Sequence, residues 1–199
     1  KGGMGAASPK EVAEACDVVH TCLALPAVSD QVYLGTDGLI PHARPGHIFI
    51  ENSSIGVAQA RRLAAAAKEK GAIFLDAPVS GGESGAAAGT LAIMVGGEEP
   101  VFQKVKPILD ILGKSVYYCG PTGSGCAVKL ANNMMASIHL VGMVEGLVMT
   151  AKAGVPPKLA LEIFKNSSSS SFALVAHAPR MVNRDFQRRF TMSRLYKDL

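Results

Sequence analysis

The chain has no tryptophan and only four tyrosines in 199 residues. A single-stranded nucleic-acid binder needs aromatic platforms interleaved with basic residues, and there is little here to build them from. Cysteine is scarce too: Cys16, Cys22, Cys119 and Cys126 form no CxxC pair and no zinc-ligand spacing with the histidines. We therefore read reduced thiols of a cytosolic-type compartment and expect no metal. No signal-peptide pattern opens the chain. Its longest apolar run, residues 130–149, is broken by Asn132, Asn133, His139 and Glu145. Each would be costly in lipid, so no membrane span is expected. The start, Lys1-Gly2-Gly3-Met4-Gly5, lacks an initiator methionine, and the chain stops at Tyr196-Lys197-Asp198-Leu199. Both ends read as the inside of a longer protein.

What is present is ordinary globular material. Hydrophobic residues make up 48% and charged residues 18%, enough for a sizeable core. The net charge of +4 suits a small anionic ligand without demanding nucleic acid. Ser8-Pro9-Lys10-Glu11 is a helix start, with a serine cap, proline at the first position and glutamate three residues after the cap. Mostly apolar runs at 17–23, 47–51 and 72–76 read as buried parallel strands, separated by helices at about 27–33 and 57–71. This alternation predicts an α/β parallel sheet, whose ligands sit beyond the carboxyl ends of the strands. Those ends carry Leu25-Pro26, Asn52-Ser53-Ser54 and Asp76-Ala77-Pro78-Val79-Ser80-Gly81-Gly82. Ser80-Gly81-Gly82 offers a hydroxyl and unobstructed backbone N–H groups for a carboxylate, though an ordinary Ser-Gly-Gly loop has the same composition. A strand at 90–95, a helix at 99–112 and a strand at 115–119 complete this region.

From about Gly120 the pattern is almost purely helical. A helix over residues 123–153 carries only Lys129, Glu145 and Lys152 as charges, and a helix apolar nearly all round is normally buried. It is expected to be covered partly by a second subunit or by further helices. Lys129 and Asn133, four apart, share one face of it. The lysine either snorkels to water or is desolvated and suited to proton transfer near neutral pH. The preceding glycines imitate a dinucleotide fingerprint. However, Val128 stands at the third glycine and no βαβ unit with an acidic residue about 20 positions on follows. They read instead as a flexible entry that lets the backbone and Lys129 approach a ligand. Helices follow from Val155-Pro156-Pro157 to Phe164 and over 172–181, with the serine run 167–171 between them. Arg180, Arg184, Arg188, Arg189 and Arg194 form a basic segment, a solvated face or a contact for cofactor phosphate.

Residues 17–26, Asn52-Ser53-Ser54, 76–82, 120–133 and Lys197-Asp198-Leu199, taken in order, resemble the 3-hydroxyisobutyrate dehydrogenase family, the β-hydroxyacid dehydrogenases related to 6-phosphogluconate dehydrogenase. The resemblance covers essentially the whole chain. Its combination is specific: Ser-Gly-Gly, then Gly-x-x-x-Lys-x-x-x-Asn about 45 residues on, then Lys-Asp-Leu. It implies the second half of a Rossmann domain over 1–119 and a truncated all-helical domain over 120–199, joined by a long linking helix. By the same resemblance Lys129 is the catalytic lysine and Asn133 helps hold substrate. Ser80, Gly81 and Gly82 take the substrate carboxylate, and Leu25, Pro26, Ser54 and Lys197 contact NAD or NADP. Ser54 stands where threonine is common, so the hydroxyl is kept. The family's Gly-x-Gly-x-x-Gly loop, the strands around it and the last helices are not in these residues. The position that separates NAD from NADP goes with that loop, and a polypeptide of residues 1–199 is expected to bind cofactor weakly and not turn over.

The resemblance further implies a small carboxylate substrate, a homo-oligomer (dimer or tetramer), and a cytoplasmic location, or the mitochondrial matrix in a eukaryote, without membrane or nucleic-acid partners. Hydroxyisobutyrate, tartronate semialdehyde, threonate and short semialdehydes all suit such a site. The alternative from another class is a non-catalytic dehydrogenase-like oligomerisation module, against which the retained Lys129 and Asn133 argue.

Overall fold

A computed structural model describes residues 3–187. In chain order its elements are α1 (Pro9–Ala15), β1 (Val18–Thr21), α2 (Pro26–Leu34), β2 (Ile48–Glu51), α3 (Val57–Glu69), β3 (Ile73–Asp76), β4 (Val79–Ser80), α4 (Gly82–Ala88), β5 (Ala92–Gly96), α5 (Glu99–Leu112), β6 (Ser115–Gly120), α6 (Ser124–Lys152), α7 (Pro157–Lys165) and α8 (Phe172–Val182). The helix starts follow local chemistry. Ser8 Oγ accepts from Glu11 N at the head of α1, and the Glu11 carboxylate reaches back to Ala7 N at 2.7 Å. Proline opens α1, α2 and α7 within the first turn, where a missing N–H costs nothing.

Contacts divide the chain into two compact units, residues 1–130 and 131–199. In the first, β1, β2 and β3 run parallel in consecutive order. The sheet then reverses: β5 is antiparallel to β3 through the single pair Asp76↔Gly96, while β6 runs parallel to β5 and the short β4 antiparallel to it. Sequence pattern indicated the parallel part; β4 and α4 are too short and glycine-rich to show a period. Alternating side chains feed two cores. Phe49 and Phe74 pack with Tyr33 and the α3 residues Ala60 and Leu63 on one face. Ile48, Ile50, Leu75 and Ile93 pack with Val105 and Leu109 of α5 on the other. The first strand, β1, lies at an edge of the sheet.

The second unit contains the rest of α6 with α7 and α8, around Met143, Leu147, Leu161 and Leu174. Among the described residues α6 is not buried on most sides: Met134, Ile138, Val141 and Met149 are all exposed, which leaves their cover to the second subunit or further helices expected above. By length and composition alone α6 could cross a membrane, and among the described residues it is the one helix that passes that test. Of the arginines singled out above, Arg180 is paired with Asp185 at 3.0 Å. Arg188, Arg189 and Arg194, like Lys197, lie outside the described residues.

Candidate active site

The carboxyl ends of the strands are held together by polar side chains, which is what an α/β sheet needs where its apolar layers stop. Thr21, Glu51, Asp76 and Gly96 stand in one register row across β1, β2, β3 and β5. Thr21, Glu51 and Asp76 are buried, and the two acids are fully so.

Glu51 serves the first pair of loops. Its Oε1 accepts from Ser53 N at 2.7 Å, and Ser53 Oγ accepts from Leu23 N at 2.6 Å, tying the turn after β2 to the turn after β1. Asn52 bridges the next gap: its Nδ2 donates to Ala77 O at 2.7 Å, and its Oδ1 lies 3.1 Å from His20 Nδ1. Thr21 Oγ1 and Tyr33 Oη hydrogen-bond at 2.7 Å beneath this layer. Burial pushes the Glu51 carboxyl above its ordinary value, partly offset by the Ser53 bonds. It pushes the Tyr33 hydroxyl up as well, with Glu51 adding to it.

Asp76 serves the other side. Oδ1 accepts from Gly123 N at 2.7 Å and Oδ2 from Cys126 N at 2.8 Å, so one carboxylate holds the start of α6. Burial raises its pKa, and the two N–H bonds and the Cys126 thiol lower it. The Cys126 thiol is itself pushed far up, by burial first and by Asp76 second, and is inert as a nucleophile at neutral pH. Glycine is required around the carboxylate. A Cβ at Gly96 would sit 2.6 Å from Asp76 Oδ1, and one at Gly125 would sit 2.8 Å from Asp76 O. The glycines before Lys129 were read as a flexible entry for a ligand; Gly125 is instead closely packed against the end of β3.

The predicted site residues distribute as follows. Leu25 is the N-cap of α2 and half exposed. Pro26 is the first residue of that helix and Ser54 is half-buried in the turn after β2. Ser80 ends β4, Gly81 (φ 138°) is the N-cap of α4 and Gly82 (φ 64°) its first residue. Both φ values lie where side chains with a Cβ are strained. Lys129 is buried, with 8% of its surface exposed, in the second turn of α6. Asn133 stands one turn further along that helix, its Nδ2 buried and without a hydrogen-bond partner among the described residues. No group of His, Cys, Asp and Glu among the described residues could hold a metal. Sequence reasoning missed Glu51 and Asp76. Their signal was an acid closing an otherwise apolar strand.

Comparison with known proteins shows the family. Residues 1–120 match the NAD binding domain of 6-phosphogluconate dehydrogenase, and residues 123–199 the NAD-binding domain of NADP-dependent 3-hydroxyisobutyrate dehydrogenase. The chain belongs to the 3-hydroxyisobutyrate dehydrogenase family. The family comprises NAD(P)-dependent oxidoreductases of small hydroxy acids and semialdehydes. The chain is 36% identical to 2-(hydroxymethyl)glutarate dehydrogenase of Eubacterium barkeri, over all of its own length and 66% of that protein's. It is 35% identical to the NAD-dependent L-serine dehydrogenase of Pseudomonas aeruginosa, over all of its length and 69% of that protein's. The solved structure of Mycobacterium tuberculosis 3-hydroxyisobutyrate dehydrogenase with L-serine matches at a TM-score of 0.88 and 34% identity, across 96% of this chain and 67% of that one. The chain thus spans about two thirds of the length of these relatives.

NAD or NADP is the cofactor of such a domain. The residues present fit part of it. Leu25 offers an exposed apolar side chain, 51% accessible, two residues after Leu23, whose N–H ties this segment to Ser53 in the polar turn Asn52-Ser53-Ser54.

Proposed function

We propose that this chain carries the substrate-handling part of a dehydrogenase that moves a hydride between a nicotinamide cofactor and a small 3-hydroxy acid, or its semialdehyde. The observation that carries the reading is the buried Lys129 on a helix whose first turn is fastened to the end of β3, the strand that leads into Ser80-Gly81-Gly82. Ser80 Oγ and the N–H groups of Gly81 and Gly82 hold the substrate carboxylate. Lys129 accepts the proton of the hydroxyl as the carbon is oxidised and returns it to the carbonyl oxygen in reduction. Positioned proton transfer of this kind contributes about 10²–10⁴-fold. The unpartnered Nδ2 of Asn133 donates to the substrate. Leu25, Pro26, Ser54 and Lys197 hold the cofactor, which supplies the hydride acceptor when bound.

The relatives' names fit one chemical class, a carboxylate with a hydroxyl or aldehyde on the β carbon: 2-(hydroxymethyl)glutarate, L-serine, 3-hydroxyisobutyrate and 2-hydroxy-3-oxopropionate. We assign this chain to that class. We also place it in a homo-oligomer, dimer or tetramer, in the cytoplasm or, in a eukaryote, the mitochondrial matrix, with no membrane or nucleic-acid partner. Both bacterial and mitochondrial relatives support the location, and the exposed apolar residues of α6 support the oligomer.

The test is a substrate panel on the full-length protein with NAD and NADP: 3-hydroxyisobutyrate, L-serine, glycerate and 2-(hydroxymethyl)glutarate, against the matching alcohols without a carboxylate. Turnover confined to the acids, and reduced about 10²–10⁴-fold in Lys129→Ala with cofactor affinity kept, is the expected result. Lys129→Ala turnover within a few-fold of the parent would remove the lysine from the mechanism.

A further inference from the structure

The first N–H groups of any helix have no partner within it. Local sequence usually supplies one: in a capping box, a serine and a glutamate of the same segment satisfy the cap N–H and the third N–H between them. At the head of α6 the cap position is Gly123, which has no side chain to offer, and the third residue is Cys126. Both N–H groups go instead to the Asp76 carboxylate, 47 and 50 residues earlier in the chain. Ser124 N turns back to Pro121 O at 3.0 Å, but for Gly123 N and Cys126 N the cap is a side chain of the sheet rather than a local one.

Two glycines make that possible. A Cβ at Gly96 would come within 2.6 Å of Oδ1 and 2.9 Å of Oδ2, and one at Gly125 within 3.0 Å of Oδ2. The carboxylate fills the space that both side chains would occupy. Lys129 lies three and four residues after Cys126 and Gly125, on the same buried face of the helix. From Asp76 the backbone also continues directly through Ala77 and Pro78 into β4 and the Ser80-Gly81-Gly82 loop, while Met94 N binds Pro78 O at 3.1 Å to keep that path in place.

We infer that Asp76 is a positioning residue for proton transfer: its carboxylate holds the first turn of α6 against the end of β3 and so sets Lys129 at a fixed reach from the Ser80-Gly81-Gly82 loop. The inference rests on the roles given above to Lys129 and that loop. It separates two effects. The loop is attached to the Asp76 backbone, which a side-chain change leaves in place. The first turn of α6, which carries Lys129 onward, is fastened to the end of β3 by that carboxylate. Loss of the carboxylate should therefore lower kcat while leaving the substrate KM and the cofactor Kd nearly as they were. A displacement on the order of 1 Å at a reacting group can cost about 10²-fold.

The experiment uses Asp76→Asn in the full-length protein, with Gly96→Ala as an independent variant that displaces the carboxylate without removing it, and Lys129→Ala as a reference. Asparagine keeps one acceptor but presents an NH₂ group to one of the two N–H donors. Steady-state kinetics are read with amide hydrogen exchange over residues 120–130. Expected for both variants is a fall in kcat of about 10–100-fold, KM and Kd within about three-fold, and faster exchange at Gly123 and Cys126 with the β2 and β3 amides still protected. Parental kcat despite faster exchange at the helix start overturns the inference, as does unchanged exchange in Asp76→Asn. If Asp76→Asn loses protection throughout the sheet, Gly96→Ala decides by the same criteria. Turnover retained in Lys129→Ala overturns the functional reading instead, and the exchange result then decides on its own whether Asp76 holds the helix.

Discussion

Glu51 and Asp76 are register partners on β2 and β3, both without solvent exposure, and their carboxyls bind in opposite directions. Glu51 accepts from Ser53 in the turn after β2, and Asp76 accepts from Gly123 and Cys126 at the head of α6. Two adjacent acids thus fasten the two sides of the proposed site.

Glu51 is held mainly by burial above its ordinary pKa, so the native state favours the protonated form. Between the unfolded value and the raised folded value the native protein binds more protons than the unfolded chain, and stability falls as pH rises through that window. Glu51→Gln keeps the Oε1 acceptor for Ser53 N and removes the titration. The variant is expected to be at least as stable as the parent at pH 7 and to lose part of this slope, read from urea midpoints at pH 4 to 8. A large loss of stability at pH 7 would show that the ionised carboxylate is needed.

His47 acts with the opposite sign. It is buried, its Nδ1 accepts from Arg44 N at 3.3 Å, and its pKa is lowered by burial and then by the Arg44 charge, with Asp17 opposing. Below the unfolded value of about 6.5 the unfolded chain takes up a proton that the native state resists, so this contribution to stability is lost as pH falls from there toward the folded value. His47→Phe should flatten the decline between about pH 6.5 and 5, at a cost of about 1 kcal/mol at pH 7 for the unpartnered Arg44 N–H. Chemical denaturation at the two pH values measures both.

Ser80→Ala should raise KM for carboxylate substrates several-fold with kcat less affected, since it removes one of the proposed anchors. Gly82→Val should do so more strongly. Space around Gly82 is open, but its φ of 64° is strained for a branched side chain by roughly 1–2 kcal/mol. Equal losses on alcohols lacking the carboxylate would point to a folding defect.

Two glycines of α6 should respond to alanine with opposite signs. Gly125→Ala forces a Cβ against the Asp76 and Met94 carbonyls and should cost about 1–3 kcal/mol. Gly142 is exposed in mid-helix with nothing within 4 Å of a new Cβ, so Gly142→Ala should gain up to about 1 kcal/mol. Thermal melts of the two variants check the contrast.

The sequence by itself determined which segments form helices and strands wherever an element is long enough to show a period, as at Glu99–Leu112 and Ser124–Lys152, or is punctuated by caps, as at Ser8-Pro9. It also placed Lys129 on a helix face and Leu25 and Ser80 beyond the carboxyl ends of strands, because motif spacing reports local geometry. It could not reveal β4, whose two residues have no period, or the reversal at β5, which a single pair, Asp76↔Gly96, establishes. Nor could it show why Gly96 and Gly125 are glycines. That depends on where a carboxylate from β3 comes to rest. Only the tertiary structure decided that the long helix is capped from the sheet, because hydrogen bonds between residues 47 and 50 apart leave no periodic trace in a single chain.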